Sequence, residues 1–473
     1  MGVFMSHAYP GDFSTILHAF DDAMRAVGTH PLVMTAFKRN LLQLLSGSTG
    51  SITRAQLTEV GEVADAEQLQ GFERRGIDAL HETVVIKLNG GLGTSMGLEG
   101  AKSLIPVRDG LRFLDIIARH VLHARAQYNA RIPLLLLNSN HTREESLRAL
   151  DSIPELRGEL PADLMQHLVP KVLADSMLPA EYPDDPALAW CPPGHGDLYL
   201  AMQSSGLLDT LLAQGYRYAF ISNADNLGAS IDAGILGYFA GEGLEFLMEV
   251  ADRTPADRKG GHLARLTDGR LTLRERAQCP EEEAEEFQDI HLYRHFNTNS
   301  IWLYLPALRA LLDRYDGLLP LPLIRNAKTL DPRDLSSPAV YQLETAMGAA
   351  ISLFDRAAAV RVPRTRFAPV KTTDDLLVVR SDAMVLTEDY RIVPNPARSL
   401  PVPTVSLDPS FYRFIHQLDE RFPSGVPSLL ECTALELRGD VRFGADVTLK
   451  GTVRLKSDDG AVLQIPDGSV LEQ

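Results

Sequence analysis

The chain alternates short apolar strands with amphipathic helices, and this alternation limits it to the α/β folds. Four segments rich in apolar and β-branched residues are predicted to be strands: 83–88, 132–137, 218–221 and 244–250. Between them, apolar residues recur at helical spacing, as in 114–125 and 144–150. Such alternation predicts a domain with a largely parallel sheet, whose ligands bind beyond the carboxyl ends of the strands.

The first predicted strand runs into a glycine-rich loop, LNGGLGTSMG, which begins at Leu88. A strand, a glycine-rich loop and a following helix together aim backbone N–H groups at a phosphate. The spacing fits neither the Walker pattern nor the dinucleotide fingerprint, so glycine content alone leaves a structural turn equally possible. Lys102 follows closely enough to return to the same phosphates as a point charge. The alternative for Lys102 is an exposed lysine without a role.

A second glycine-containing loop covers residues 191–197. Two prolines stiffen this loop, whereas Gly194 and Gly196 leave its backbone open. His195 lies between these two glycines and has little packing of its own, which favours ligand contact over a place in the core.

Polar residues close the third predicted strand as Asn223-Ala224-Asp225-Asn226. A carboxylate at a strand end is well placed for Mg²⁺, which prefers one or two carboxylates together with substrate phosphates. The alternative is a helix N-cap, because Asp and Asn are both good capping residues.

Two later segments carry polar side chains whose roles spacing alone leaves open. The segment FNTNS at 296–300 precedes a strand-like stretch at 301–305; its uncharged amides suit sugar hydroxyls, but Asn is also a common turn residue. Lys371 lies among apolar residues and is directed either at an anion or at Asp374 or Asp375.

The last part of the chain has a six-residue period. Two apolar series and one series of small residues share it: Leu435, Val441, Val447 and Val453; Leu437, Phe443, Leu449 and Leu455; Gly439, Ala445 and Gly451. Hexad periodicity is typical of a β-helix, with an edge hairpin module as the alternative. The first series breaks at Asp459 and is predicted to resume in register at Ile465 and Leu471. The proline-rich stretch 393–409 is predicted to be the connector.

Charge and cysteine content exclude several classes of function. The 46 basic and 62 acidic residues give a net charge of −16, which argues against binding to nucleic acid or to an anionic membrane. The only cysteines are Cys191, Cys279 and Cys432; they are far apart and odd in number, which excludes a disulfide framework and indicates a reducing compartment. No apolar run reaches the length of a membrane helix, and no secretory signal is recognisable, so we expect a cytoplasmic protein.

Several of these segments together resemble the eukaryotic-type UTP–glucose-1-phosphate uridylyltransferases, the UDP-glucose pyrophosphorylase family. The matching segments run in order from about residue 80 to residue 473: LNGGLGTSMG at Leu88, AKS at Ala101, PPGHGDLY at Pro192, SNADNLGA at Ser222, FNTNS at Phe296, QLETAMGAA at Gln342, FAPVKTTDDLL at Phe367 and GDVRFGADVTLKGTV at Gly439. The resemblance implies a Rossmann-like nucleotidyltransferase domain with a mixed, mostly parallel sheet, followed by a C-terminal left-handed β-helix. We therefore expect a helical segment at 1–80, a catalytic domain at 81–392, and a linker with the β-helix at 393–473.

The resemblance also implies a role for each site residue. Catalytic lysines would be Lys102 and Lys371, and Asp225 would hold Mg²⁺. UTP would be bound by Leu88, Asn89, Gly90, Gly91, Gln166 and Gly194, and the sugar phosphate by His195, Asn223, Asp225, Asn297 and Asn299. The implied reaction converts UTP and glucose 1-phosphate to UDP-glucose and pyrophosphate.

Departures from the family pattern leave alternatives open. Glu99 and Ala101 stand where the family commonly has a basic residue and a proline, and Glu99 is expected to point away from the triphosphate. The chain ends soon after the last β-helix position, so we expect a monomer or a small homo-oligomer formed through the C-terminal domain. Alternative functions are the same reaction on galactose 1-phosphate or an N-acetylhexosamine 1-phosphate, or a non-catalytic sugar-nucleotide sensor.

Overall fold

The computed structural model describes residues 13–48, 50–98, 100–458 and 460–472. The chain folds into two compact units, and each unit is assembled from three separate stretches of sequence. The first unit contains residues up to Leu69 together with 164–219 and 239–361, and the second contains 70–163, 220–238 and 362–473. Both units mix helices with strands, and each contains parallel strand pairs, so the chain has a mixed α/β fold.

The first unit is built around the strand Phe246–Asp252. This strand pairs in parallel with Ala357–Arg361 and antiparallel with His295–Tyr304. The helices of this unit are Phe13–Ala26, Pro31–Leu45, Asp197–Ser204, Leu207–Ala213, Ala284–Phe287 and Leu305–Arg314. Its strands are Leu57–Thr58, Ala64–Asp65, Val169–Pro170, Val172–Leu173, Trp190–Cys191, Phe246–Asp252, His262–Leu266, Leu271–Arg274, His295–Tyr304, Ile324–Thr329, Ala339–Glu344 and Ala357–Arg361.

The two N-terminal helices belong to the core of the first unit. Phe20 and Phe37, one from each helix, lie with ring centroids 5.1 Å apart. Both are buried in one cluster with Val169, Val172 and further apolar residues of this unit. The predicted helical segment is therefore interrupted: after these helices, residues 50–72 carry only short 3-10 turns and the strands Leu57–Thr58 and Ala64–Asp65.

The second unit contains the predicted strand that leads into the glycine-rich loop. Thr83–Asn89 pairs in parallel with Leu134–Asn138, and both strands are almost wholly buried, as parallel strands covered by helices require. The helices of this unit are Glu73–Ala79, Phe113–Tyr128, Arg143–Asp151, Thr373–Arg380, Pro409–Tyr412 and Ile415–Arg421. Its strands are Thr83–Asn89, Pro106–Arg108, Leu111–Arg112, Leu134–Asn138, Met384–Leu386, Ile392–Pro394, Thr404–Ser406, Ser428–Arg438, Asp440–Phe443, Thr448–Lys456, Val462–Ile465 and Val470–Glu472. Three of the five unit boundaries along the chain fall within an element, namely Asp163–Met165, Tyr218–Asn223 and Ala233–Gly241, and the other two follow Leu69 and Arg361.

The hexad region forms stacked parallel strands. Leu435 lies opposite Val453, a later member of its own apolar series, so the first turn of the stack contains a whole number of hexads. This series, Leu435, Val441, Val447 and Val453, is buried throughout. Part of the expected connector also joins the stack, because Thr404–Ser406 pairs in parallel with 434–436.

The register predicted beyond the break is wrong. Ile465 lies opposite Phe443 and Leu471 lies opposite Leu449, so both residues continue the second apolar series and not the first. The next turn is therefore longer than the first and lies out of register with it. The break itself, Asp459, is outside the described residues. Extra residues in a turn shift the later strands along the stack, and spacing alone does not reveal that shift.

The three cysteine thiols are shielded from solvent. Cys191, Cys279 and Cys432 are all buried and free. In the part of the chain that the structure describes, no helix has the length and apolarity needed to span a membrane.

Candidate active site

The glycine-rich loop folds back on itself directly after the strand Thr83–Asn89. The backbone N–H of Lys102 donates to the carbonyl of Gly91 at 3.3 Å, and Leu92 forms an antiparallel bridge with Ala101. The sequence suggested a helix after this loop, but the structure has only the 3-10 turns Thr94–Met96 and Lys102–Leu104. Loop N–H groups, rather than an α-helix N-terminus, are therefore the donors available here. Glu99 lies outside the described residues, so its expected orientation stays a prediction.

Within the loop, Gly91 is a glycine that the protein itself does not require. Its φ is not left-handed, and a Cβ added to it would meet nothing within 4 Å. A side chain there would fill open space, so neither backbone conformation nor packing within the described residues requires glycine at this position. Gly90 precedes it at the end of the strand, where the predicted ligand edge lies.

The side chain of Asn89 is buried within the second unit. It is 3 % exposed, and its Nδ2 donates to Asn138 Oδ1 at 2.7 Å and to Ser146 Oγ at 2.8 Å. Its amide therefore fixes the base of the loop to the neighbouring strand and helix. The adjacent Leu88 accepts a hydrogen bond from the N–H of Ala224 at 3.0 Å, which ties the loop to the segment that carries Asn223 and Asp225.

Lys102 and Asp225 form an ion pair. Lys102 Nζ lies 2.8 Å from Asp225 Oδ2, and the two side chains are 14 % and 20 % exposed. Because 123 residues separate them, the fold, and not local sequence, brings them together. The pair places a lysine and a carboxylate beside the glycine loop. A lysine can bind a phosphate, and a carboxylate can bind the cation that accompanies the phosphate.

Lys371 lies next to the segment that carries Asp225. The N–H of Val370 donates to the carbonyl of Asp225 at 3.1 Å. Lys371 is exposed, and among the described residues no carboxylate lies within ion-pair distance of its Nζ. The two carboxylates considered from the sequence do not pair with the Lys371 ammonium group. Asp375 caps the helix Thr373–Arg380 and accepts from the backbone N–H groups of Lys371 at 2.7 Å and Thr372 at 2.9 Å, and Asp374 accepts from the N–H of Leu407.

In the first unit, Gln166 and Gly194 are in contact. Gln166 Nε2 donates to the carbonyl of Gly194 at 3.1 Å. Gly194 has φ +78°, and an added Cβ would lie 2.4 Å from the carbonyl oxygen of Thr345, so backbone conformation and packing both demand glycine. Asp197, which is 3 % exposed, accepts from the N–H of His167 at 2.7 Å and thereby holds the 166–167 segment to this loop.

His195 is a partly buried, neutral acceptor. Its Nδ1 accepts the backbone N–H of Met347 at 3.0 Å, and burial lowers the pKa of His195 to about 4. The predicted absence of packing around His195 is wrong, because the segment 345–347 folds over the loop. The remaining ring nitrogen, Nε2, therefore carries the proton at neutral pH and is a donor.

Asn297 and Asn299 lie in a β-bulge. The sequence placed FNTNS before a strand, but the strand His295–Tyr304 includes it, and the pairing shifts so that Val250 faces Asn297 while Glu249 faces Ser300. Asn299 has φ +57°, and its Oδ1 accepts from Asn297 Nδ2 at 2.8 Å. A bulge re-aims side chains, and a non-glycine residue with left-handed φ marks stored strain, two features that recur at functional sites.

The predicted site residues fall into two groups, one in each unit. The second unit holds Leu88, Asn89, Gly90, Gly91, Lys102, Asn223, Asp225 and Lys371, and the first holds Gln166, Gly194, His195, Asn297 and Asn299. The 345–348 segment joins the first-unit group, since an added Cβ on Gly348 would lie 3.4 Å from Asn297 Nδ2. Asn226 and Asp197 lie inside the motifs SNADNLGA and PPGHGDLY, and only the structure shows that both side chains are buried next to predicted site residues.

A parallel strand that ends in an open glycine loop, with a lysine–carboxylate pair beside it, fits an α/β enzyme of the nucleotidyltransferase class. Comparison with known proteins narrows the class further. The family profile described as UTP–glucose-1-phosphate uridylyltransferase (UDPGP) matches residues 34–450, so the chain belongs to this family.

Relatives match over nearly the whole chain. The UTP–glucose-1-phosphate uridylyltransferase of Saccharomyces cerevisiae is 41% identical over 456 residues, which cover 96% of this chain and 89% of the yeast protein. A solved structure of the UDP-glucose pyrophosphorylase from Leishmania major has a TM-score of 0.91 and 42% identity, covering 98% of this chain and 99% of that one. The Trypanosoma brucei structure has a TM-score of 0.88 and 44% identity, covering 97% and 98%.

Proposed function

We propose that this protein converts UTP and glucose 1-phosphate to UDP-glucose and pyrophosphate. The observation that carries the proposal is the Lys102–Asp225 pair beside an open glycine loop, in a chain whose family membership extends over residues 34–450. A phosphate oxygen of glucose 1-phosphate attacks the α-phosphorus of UTP. The bond from the α-phosphorus to the oxygen bridging it to the β-phosphate breaks, and pyrophosphate leaves with that electron pair. No protein nucleophile is needed, because the attacking oxygen is already anionic.

Electrostatic repulsion between two polyanions is the main barrier that the protein has to lower. Loop N–H groups around Gly90 and Gly91, together with Lys102, are proposed to hold the phosphates of UTP, and Lys371 to add a second positive charge. Lys102 is paired with Asp225. Binding of phosphate would replace that carboxylate as the partner of Lys102 and release Asp225. The positive groups already in position, and the correct orientation of the two substrates, then supply most of the catalysis.

The proposed roles of the remaining residues follow from their free polar groups. Gln166 uses one N–H on Gly194 and keeps its carbonyl and second N–H for the edge of uracil. His195 keeps an Nε2–H that can donate to the sugar phosphate. Asn223 offers its amide for the glucose hydroxyls. Asn297 and Asn299 offer the amide N–H groups that their mutual hydrogen bond at 2.8 Å does not use.

The residues present fit a Mg²⁺ ion that arrives with the nucleotide. Among the described residues, no three His, Cys, Asp or Glu side chains group together as metal ligands. Asp225 is a single carboxylate beside the phosphate loop, and Mg²⁺ is commonly held by one or two carboxylates with substrate phosphates and water. Asp225 is therefore the proposed ligand, and the ion would supply charge neutralisation on the triphosphate.

The test is pyrophosphate release from UTP with a panel of sugar 1-phosphates. We expect glucose 1-phosphate to be the best substrate, with Mg²⁺ required. Asp225→Asn tests the proposed metal ligand, because it keeps the size of the side chain and removes its charge. This variant should lose turnover while it keeps the fold. A better rate with galactose 1-phosphate or an N-acetylhexosamine 1-phosphate would reassign the substrate. No release with any sugar, or Mg²⁺-independent release, would contradict the proposal.

We propose further that the chain is divided into an N-terminal helical segment at 1–80, a catalytic domain at 81–392, and a linker with a left-handed β-helix domain at 393–473. The stacked parallel pairing of the C-terminal strands supports a coiled tail. A crystal structure would test the handedness, and limited proteolysis the boundaries. A monomer or small homo-oligomer assembled through the tail, located in the cytoplasm, is the accompanying proposal, which light scattering and cell imaging would test.

A further inference from the structure

Asn226 follows the proposed metal ligand Asp225 and is almost completely buried, with 2 % of its surface exposed. Its side chain uses both halves of the amide. Its Nδ2 donates to the carbonyl of Arg366 at 3.2 Å, and its Oδ1 accepts from the N–H groups of Gly228 at 3.1 Å and Ala368 at 2.9 Å. Two of these partners, Arg366 and Ala368, are distant in sequence and lie in the segment that leads to Lys371.

Other contacts join the same two stretches. Asn226 forms an antiparallel bridge with Pro369, and the N–H of Val370 donates to the carbonyl of Asp225 at 3.1 Å. The backbones approach so closely at Gly228 that an added Cβ would lie 2.5 Å from the carbonyl oxygen of Thr365. The stretches 225–228 and 365–370 are therefore one locally rigid assembly within the second unit.

We propose that Asn226 is a positioning residue, which sets Asp225 and Lys371 at a fixed distance so that both meet the reacting phosphates together. This inference rests on the function proposed above. Only an amide satisfies the observed contacts, because a carboxylate would face the carbonyl of Arg366 without a proton to share, and an apolar side chain would leave buried backbone groups unpaired. Asn226 touches no substrate in this proposal; it acts through its two neighbours.

The test compares Asn226→Ala with Lys371→Ala and with the double variant. Displacement of a positioned group by about 1 Å costs on the order of a hundredfold in rate, so Asn226→Ala should lower kcat roughly tenfold to a hundredfold. The KM for UTP should change much less, as for an interaction made in the transition state. In the Lys371→Ala background the same substitution should cost less than about threefold, because coupled residues are non-additive. A full, additive loss in that background would overturn the proposal.

The matched control is Asn395→Ala. Asn395 also braces backbone in the second unit, with Nδ2 donating to the carbonyl of Asp382 at 2.9 Å and Oδ1 accepting from the N–H of Ala397 at 3.0 Å. This variant should keep normal kcat even if its melting temperature falls. An equal loss of kcat in Asn395→Ala would show that any weakened brace impairs the enzyme, and the proposal would be overturned.

Amide hydrogen exchange provides a readout that does not depend on turnover. In Asn226→Ala, the peptide containing the N–H groups of Ala368 and Val370 should exchange faster, while strands elsewhere in the unit keep their protection. Unchanged exchange there would overturn the proposal whatever the kinetics show. If the wild type releases no pyrophosphate, the proposed function fails, and the exchange result still decides whether Asn226 holds the two stretches together.

Discussion

Replacement of Lys371 by alanine separates a catalytic lysine from a structural one. From spacing alone, an ion pair with Asp374 or Asp375 is as plausible as contact with an anion. In the structure Asp375 accepts from the backbone N–H groups of Lys371 and Thr372, Asp374 accepts from that of Leu407, and the Lys371 side chain is exposed. We therefore expect Lys371→Ala to lower kcat while leaving the stability of the fold almost unchanged.

The two outcomes differ enough in magnitude to be told apart. An exposed side chain without an ion pair is worth within about 0.5 kcal/mol of stability. At roughly 2 cal/mol/K per residue, the 473-residue chain has an unfolding entropy of about 1 kcal/mol/K, so Tm should move by about 0.5 °C. Loss of one partner of a buried ion pair would cost about 3–5 kcal/mol, or a shift of several degrees. The loss of a charge-assisted contact in the transition state is worth about 3 kcal/mol, on the order of a hundredfold in kcat.

The assay is steady-state pyrophosphate release together with calorimetric melting. Lys456→Ala is the matched control, because Lys456 is also an exposed lysine of the second unit and lies on the C-terminal strand Thr448–Lys456. It should match the wild type in both measurements. A lowered Tm with near-normal kcat in Lys371→Ala would refute the catalytic role.

Three further predictions concern the first unit. UTP should far outperform ATP, CTP and GTP, and Gln166→Ala should narrow that preference in competition assays; comparable turnover with another nucleotide in the wild type would contradict the role of Gln166. The pKa of His195 in the folded protein is about 4, below the ordinary 6.5, so between these pH values the imidazole is protonated in the unfolded chain but not in the folded one. The free energy of unfolding should therefore fall by up to about 3 kcal/mol as the pH is lowered from 6.5 to 4. His195→Gln should flatten that part of the unfolding-versus-pH curve, and an unchanged slope would show that other groups cause it. Gly194→Ala should lower the free energy of unfolding by roughly 2 kcal/mol or more, measured in urea, since φ +78° and the Thr345 backbone both oppose a Cβ; a urea midpoint equal to that of the wild type would contradict this.

The sequence predicts the helices and strands of this fold better than it predicts the contacts between residues that are distant in the chain. The strand Thr83–Asn89 and the buried hexads follow from local apolar periodicity, which is a short-range property. The ion pair between Lys102 and Asp225 joins residues 123 positions apart, and spacing carries no information about such a contact. The bulge at Asn299 was missed because it arises from the register between two strands, not from either strand alone.

The interleaving of the two units has a consequence for how the protein is made. Thr83–Asn89 leaves the ribosome early, but the stretch that completes its unit begins only at Val362. The second unit, which contains Lys102, therefore cannot be completed until most of the chain has been synthesised. Contacts between such distant residues slow folding and leave apolar strands uncovered in the meantime. We expect nascent chains that stop before Val362 to depend on chaperones, whereas the tail, whose strands pair with near neighbours in the sequence, can form soon after its own synthesis.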